Sequence, residues 1–154
     1  MGRYEFEQFN YSRAWRVRDH ETATDYLGSY RTIVARVRLG GDKPLVEFFT
    51  AATGYKPTTS KQVTQMLYQW YGIHLDSRAR TSIEREATVN GEYTGEIFAW
   101  YPSFFGKYGK DCDVMFTYDM GVHDNAEVEL WEACGAWYPR EIAQVAVNCD
   151  KFYL

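Results

Sequence analysis

The sequence is short of the features that usually announce a function. Of 154 residues, four are proline, three are cysteine and three are histidine. Cys112, Cys134 and Cys149 make an odd set, and no two have Cys-x-x-Cys spacing. That argues against a disulfide framework or a zinc finger and for buried free thiols. No stretch approaches the roughly 18 apolar residues of a membrane span. The amino terminus shows no signal-peptide run, so the expected location is the cytoplasm. Gly2 lacks the following Ser or Thr of a myristoylation signal. Repeats and low-complexity segments are also missing.

Basic residues run short in one half only. Residues 1–85 hold 13 Lys+Arg against 9 Asp+Glu, whereas residues 86–154 hold 4 against 12. Ten of the eleven arginines precede residue 86, and between Asp111 and Glu132 stand seven acids with no Lys or Arg. The net charge of −4 is therefore a small difference between two unlike halves. Such asymmetry suggests a dipolar surface and polar macromolecular partners.

Aromatic residues are plentiful, at 18%. That excludes a disordered chain. A domain of this length buries roughly 70% of its unfolded surface, enough for a sizeable core.

The patterning is that of an α+β domain. Residues 4–17 partly alternate, with Phe9, Tyr11, Trp15 and Val17 sharing one parity, and predict a strand. Asp19 before acidic Glu21, with Gly28 beyond, predicts a short helix over 20–27. Residues 31–39 alternate clearly, Gly40–Lys43 forms a hairpin loop, and 44–50 returns. Pairing Leu39 with Pro44 sets Val37 against Val46, Ala35 against Phe48, and Arg36 against Glu47. Residues 57–72 carry the clearest helical pattern, with Val63, Leu67, Trp70 and Tyr71 on one face. Thr59 and Gln62 have the spacing of a capping box, and Gly72 is placed at C′.

Asn90-Gly91 predicts a hairpin over 80–101, with Ile83 opposite Phe98, Thr81 opposite Trp100 and Arg85 opposite Glu96. The rival reading is a second helix over 77–88, completing a helix-turn-helix with Arg78, Arg80 and Arg85. The weak helix formers Thr81, Ser82, Thr88 and Val89 favour the hairpin. Residues 102–112 form a loop. Residues 113–119 and 126–132 form another hairpin, and 140–149 lean towards a helix. The expectation is one α+β domain spanning 1–154, mostly antiparallel, with about seven strands and two or three short helices. The loop at 102–112 is the one candidate for a subdivision.

Catalytic motifs are weak. Gly40–Lys43 and Gly106–Lys110 lack the spacing of a phosphate loop, and neither Gly-x-Gly-x-x-Gly nor Gly-x-Ser-x-Gly occurs. His20, His74 and His123 lie far apart, and the acids at 111, 113, 119, 124 and 127 lack calcium-loop spacing. No metal, no cofactor and no catalytic residue is expected. Cys134 beside Gly135 is the least weak nucleophile. Glu84/Glu86 and Glu127/Glu129 would each share one side of a strand and could do acid–base work. These leave a small hydrolase-type enzyme, with a carboxylate or Cys–His site, as a third reading.

Two binding readings stand ahead of it. In the first, a non-enzymatic module offers a basic partner the acids Asp111, Asp113, Asp119, Asp124, Glu127, Glu129 and Glu132, flanked by Trp131, Trp137 and Tyr138 as anchors. The natural partner is a nucleic-acid enzyme. In size and composition the chain resembles accessory proteins of mobile elements, including phage inhibitors of host defence nucleases, and an anti-CRISPR-type inhibitor is the concrete version. In the second, Arg13, Arg16, Arg18, Arg31, Arg38, Arg78 and Arg80 bind DNA or RNA, with aromatics interleaved for stacking. No membrane partner is expected in either.

Overall fold

The strongest sequence signal, the alternation through residues 33–39 and 45–49, builds the centre of the sheet. In the computed structural model the described residues are 4–10, 13–29, 32–49, 55–89, 92–93, 98–100 and 110–117. They form β1 (Tyr4–Gln8), β2 (Ala14–Asp19), β3 (Thr24–Ser29), β4 (Thr32–Arg38), β5 (Leu45–Phe49), α1 (Pro57–Tyr71) and α2 (Ser77–Ala87). The short strands β6 (Thr88–Val89), β7 (Glu92–Tyr93) and β8 (Phe98–Trp100) follow, and then β9 (Cys112–Thr117). The architecture is α+β, a mostly antiparallel sheet with two helices. Six of its strands have five residues or more, in the order β1-β2-β3-β4-β5-β9, and three-residue β8 adds at the edge. The third expected helix, over 140–149, lies outside the described residues.

Between β4 and β5 the register is the expected one: Ala35 faces Phe48, Arg36 faces Glu47 and Val37 faces Val46. β5 then pairs with β9 in parallel, Val46 against Val114 and Phe48 against Phe116. A parallel pair needs a long crossover, and the helices lie within it. β8 takes the other edge of β9, with Phe98 opposite Val114. At Asp113 and Val114 both neighbours of β9 are thus β5 and β8, not the expected return strand 126–132, which lies outside the described residues.

Three local expectations are corrected. Residues 4–17 are a hairpin rather than one strand. Asn10 turns the chain with a φ of 44°, and the Phe9 amide donates to the Ala14 carbonyl. Residues 24–29 are a strand, not part of a helix over 20–27. The Asp19 carboxylate accepts from the Glu21 amide, but as a turn residue, and Ala23 sits at φ 51°. An acid that bonds two residues ahead suits an N-cap or a turn equally, and pairing with β2 and β4 decides for the turn. Residues 77–87 are helical, so the cross-strand pairs Ile83–Phe98 and Thr81–Trp100 do not form, and Glu96, expected opposite Arg85, lies outside the described residues. Phe98 and Trp100 pair with β9, while next to Asn90-Gly91 the hairpin register is kept, Thr88 opposite Tyr93 and Val89 opposite Glu92. The Asp76 carboxylate caps α2 by accepting from the Ala79 amide, and Ala79 and Ile83 face the core one turn apart. That cap and burial offset the weak propensities of Thr81 and Ser82.

α1 begins at Pro57, its N-cap is Lys56, and no side chain closes its amino end. Thr59 and Gln62 therefore do not form a capping box; both reach Ser29 on β3 instead, Gln62 Oε1 accepting from Ser29 Oγ at 2.5 Å. At the other end Gly72 takes φ 68° as expected. α1 and α2 cover one face of the sheet, where Val63, Met66, Leu67, Ile73, Leu75, Ala79 and Ile83 pack on Leu27, Ala35, Val37, Val46, Phe48, Val114 and Phe116. The opposite face is buried too: Trp15, Val17 and Phe49 are at most 1% exposed.

Gly28 has a role the sequence did not suggest. It sits opposite Trp15, and a Cβ there would lie 2.0 Å from the indole ring. Gly28→Ala is expected to cost about 3 kcal/mol through overpacking. Gly72→Ala, where the space is open but φ is positive, is expected to cost about 1 kcal/mol. Urea unfolding checks the order, and equal costs would contradict it.

Candidate functional site

Three charged constellations lie on this frame. The first is on the helix-covered face at the β1–β3 end. Period-two acids on β1 and arginines on β2 meet in register, Glu5 opposite Arg18 and Glu7 opposite Arg16. Arg18 in turn faces Asp25 on β3. Arg18 grips the fully buried Asp25 carboxylate with a two-pronged contact, Nε at 2.8 Å and Nη2 at 2.9 Å. The Tyr71 hydroxyl donates to the same carboxylate. Arg16 bonds Glu7 and lies 4.5 Å from the Trp70 ring centroid, and Trp70 Nε1 donates to Glu7. The hydrogen bond to Asp25 holds the Arg18 pKa above its ordinary value. Burial beside Asp25 pushes the Tyr71 pKa up as well. This network ties the end of α1 to the sheet. Sequence reading missed it because Asp25 was expected on a helix; the period-two runs Glu5/Glu7 and Arg16/Arg18 were the available signal.

The second is on the opposite face. Glu47, 1% exposed, accepts from Arg36 Nε at 3.0 Å and Nη2 at 2.5 Å, and from Arg38 Nε at 2.6 Å. The Arg36 guanidinium also lies 5.4 Å from the Phe49 ring centroid. The expected Arg36–Glu47 pair is present, and Arg38 joins it.

The third is a cavity of about 290 Å³ bounded by α1, α2 and the sheet, lined by Phe48, Tyr55, Ser60, Ser77, Arg80, Thr81, Glu84 and Phe116. Arg80 is 4% exposed. Desolvation lowers its pKa, the expected direction for a buried cation, and the Asp76 carboxylate offsets part of that effect. The Tyr55 hydroxyl donates to the Val34 carbonyl at 2.8 Å, and burial raises its pKa.

The residues of the two binding readings are placed unevenly. Of the acidic set, Asp111 is exposed before β9 and Asp113 is half-buried on it. Asp119, Asp124, Glu127, Glu129, Glu132, Trp131, Trp137 and Tyr138 lie outside the described residues, as do Arg31, His123, Cys134 and Cys149. Of the arginine set, Arg13 and Arg78 are exposed, Arg16 and Arg18 belong to the first network, Arg38 to the second, and Arg80 is buried. These arginines do not share one face.

His20 bonds Glu5, and His74 packs against Tyr68 with ring centroids 4.2 Å apart. Among the described residues no three His, Cys, Asp or Glu side chains gather to hold a metal. Glu84 and Glu86 lie on helical α2, where a spacing of two turns side chains to different sides; the expected shared face of a strand does not exist. Cys112 is a buried free thiol whose pKa burial pushes up to about 12, the opposite of an activated nucleophile. No helix among the described residues is long and apolar enough to cross a membrane.

No protein-family model, curated protein or solved structure matches the chain. Its chemistry must therefore be read from its own residues.

Two outcomes follow from these environments. Arg36→Met leaves Glu47 with one arginine and is expected to cost about 3 kcal/mol, most of it recovered by adding Glu47→Leu. A single-variant cost under about 1 kcal/mol in urea unfolding would contradict the assignment. The second concerns alkaline pH. Cys112, Tyr55 and Tyr71 have pKa values raised above 9.0 for the thiol and 10.0 for the phenols. The unfolded chain loses these protons first, so stability falls as pH rises through that range. A loss of ~2 kcal/mol is expected between about pH 8 and about pH 10.5. Unchanged urea midpoints would refute it.

Proposed function

We propose that the protein is a non-enzymatic binding module that acts in the cytoplasm on a basic protein partner through its acidic carboxy-terminal half. The observation that carries this reading is the fate of the arginines. Arg16, Arg18, Arg36 and Arg38 spend their guanidinium groups on Glu7, Asp25 and Glu47, and Arg80 is buried. The arginine-bearing half thus satisfies much of its charge internally. The run from Asp111 to Glu132 has seven acids and no Lys or Arg, so that segment has no cation of its own to cancel its field. Such a field speeds encounter with a cationic groove and sets the register of docking. Trp131, Trp137 and Tyr138 supply residue types that anchor interfaces. A protein groove that binds nucleic acid has the complementary charge, so the concrete reading is an inhibitor of a nucleic-acid enzyme, of the anti-CRISPR kind.

DNA or RNA binding keeps one specific support. α2 is a helix whose exposed side carries Arg78 and Arg85, as the helix-turn-helix reading requires.

One experiment separates the two. The chain and its Asp124→Lys, Glu127→Lys, Glu129→Lys triple variant are used to capture partners from host lysate at low and high salt, with short DNA and RNA titrated in parallel. The expected outcome is a protein partner captured at low salt and lost by the triple variant, with no nucleic-acid binding. Equal capture by both proteins would sink the acidic-face reading. A steep salt-dependent affinity for nucleic acid, abolished by Arg78→Ala with Arg85→Ala, would establish the alternative.

A further inference from the structure

The cavity beside Arg80 has a composition that structural duty alone does not explain. Arg80 does bridge the helices: Nη1 donates to Thr64 Oγ1 at 2.8 Å and to the Leu75 carbonyl at 2.9 Å. Nη2 donates to Ser60 Oγ at 2.7 Å and to the Ser60 carbonyl at 3.2 Å. Every one of these acceptors is neutral. Arg16, Arg18, Arg36 and Arg38 each meet a carboxylate within 4 Å, and among the described residues Arg80 meets none. Its Nε–H also has no acceptor among those bonds. A cation buried to this depth is expected to have a counter-charge. The Asp76 carboxylate acts on it electrostatically without forming a salt bridge, and Arg80 lines a cavity of about 290 Å³.

The remaining walls suit an anion of limited charge. Ser77 begins α2 and Ser60 lies near the start of α1, so two helix amino ends, with their positive dipoles, border the same space. Ser77 and Thr81 are exposed and form the mouth, while Phe48 and Phe116, at most 2% exposed, close the floor. The Arg80 guanidinium stands 5.7 Å from the Tyr55 ring centroid and 5.9 Å from that of Phe48. Glu84 is also on the wall, half-buried and one turn beyond Arg80. Its carboxylate opposes a doubly charged phosphate more than a single negative charge.

We propose that this cavity binds a small organic monocarboxylate, whose carboxylate pairs with Arg80 and whose apolar body lies against Tyr55, Phe48 and Phe116. With both Nη groups already bonded, the guanidinium would offer the carboxylate its Nε–H, a charge-assisted hydrogen bond, and the aromatic floor matches a ring or short alkyl chain better than a bare inorganic ion.

The test is thermal unfolding of the full chain in benzoate, in phosphate and in chloride at equal ionic strength. Benzoate is expected to raise the melting temperature by about 3 °C over chloride, saturably, and phosphate by less. Because Arg80→Gln removes the helix bridge and is open to simple unfolding, the deciding variant is Thr81→Asp. It sets a tethered carboxylate at the mouth and leaves every acceptor of Arg80 in place. It is expected to fold and to lose the benzoate response. No difference between benzoate and chloride, or an undiminished response in Thr81→Asp, overturns the site. A larger response to phosphate than to benzoate overturns the monocarboxylate assignment.

Discussion

The two most deeply buried carboxylates of this sheet are Asp25 on the helix-covered face and Glu47 on the other, and neither is tolerable there without its arginines. A lone buried charge costs several kcal/mol, whereas a paired and hydrogen-bonded one is close to neutral. The contribution of such pairs is therefore less to stability than to uniqueness. Slipping one strand by one residue would send each carboxylate to the opposite face from its partners. The pairing of β2 with β3 sets Arg18 on Asp25, and that of β4 with β5 sets Arg36 on Glu47. The registers of the antiparallel strands depend on those contacts as much as on apolar burial. Tyr71 extends the constraint to α1 by donating to Asp25.

The same contacts redistribute the protein's charge. Counted along the chain, the first half is basic; counted by what its guanidinium groups touch, much of that charge is spent on its own carboxylates. Arg80 departs from this pattern. It is as deeply buried as the carboxylates, yet it has hydroxyls and carbonyls where they have counter-ions. The contrast makes the cavity beside it stand out among the charged groups of the described fold.

Legibility in the sequence tracked how local the deciding interaction was. The β4–β5 hairpin was readable to the residue because a short loop joins strands of strict alternation, and the opposed charges of Arg36 and Glu47 checked the register. α1 was readable because a starting proline, a helical apolar stripe and a closing glycine agree. Segment 24–29 was misread because Asp19 suits a helix cap and a turn alike, and the partners that choose between them, Arg16 and Arg18 on one side and β4 on the other, come from other elements. Segment 77–87 was misread because Thr81 and Ser82 disfavour a helix, while the compensating burial of Ala79, Arg80 and Ile83 exists only once α1 and the sheet are in place. The cavity was invisible for the same reason: Arg80 was one arginine among eleven until folding enclosed it.

By itself the sequence determined the α+β class, the central hairpin with its register, the first helix with its glycine stop, and the charge imbalance between the halves. Each depends on neighbours within a few residues or on simple counting. Tertiary structure alone decided that β5 pairs in parallel with β9, that 77–87 is a helix, that Gly28 makes room for Trp15, and which arginines are spent and which is left beside a cavity. Those outcomes rest on contacts between residues far apart in the chain, where burial and charge pairing outweigh local preference.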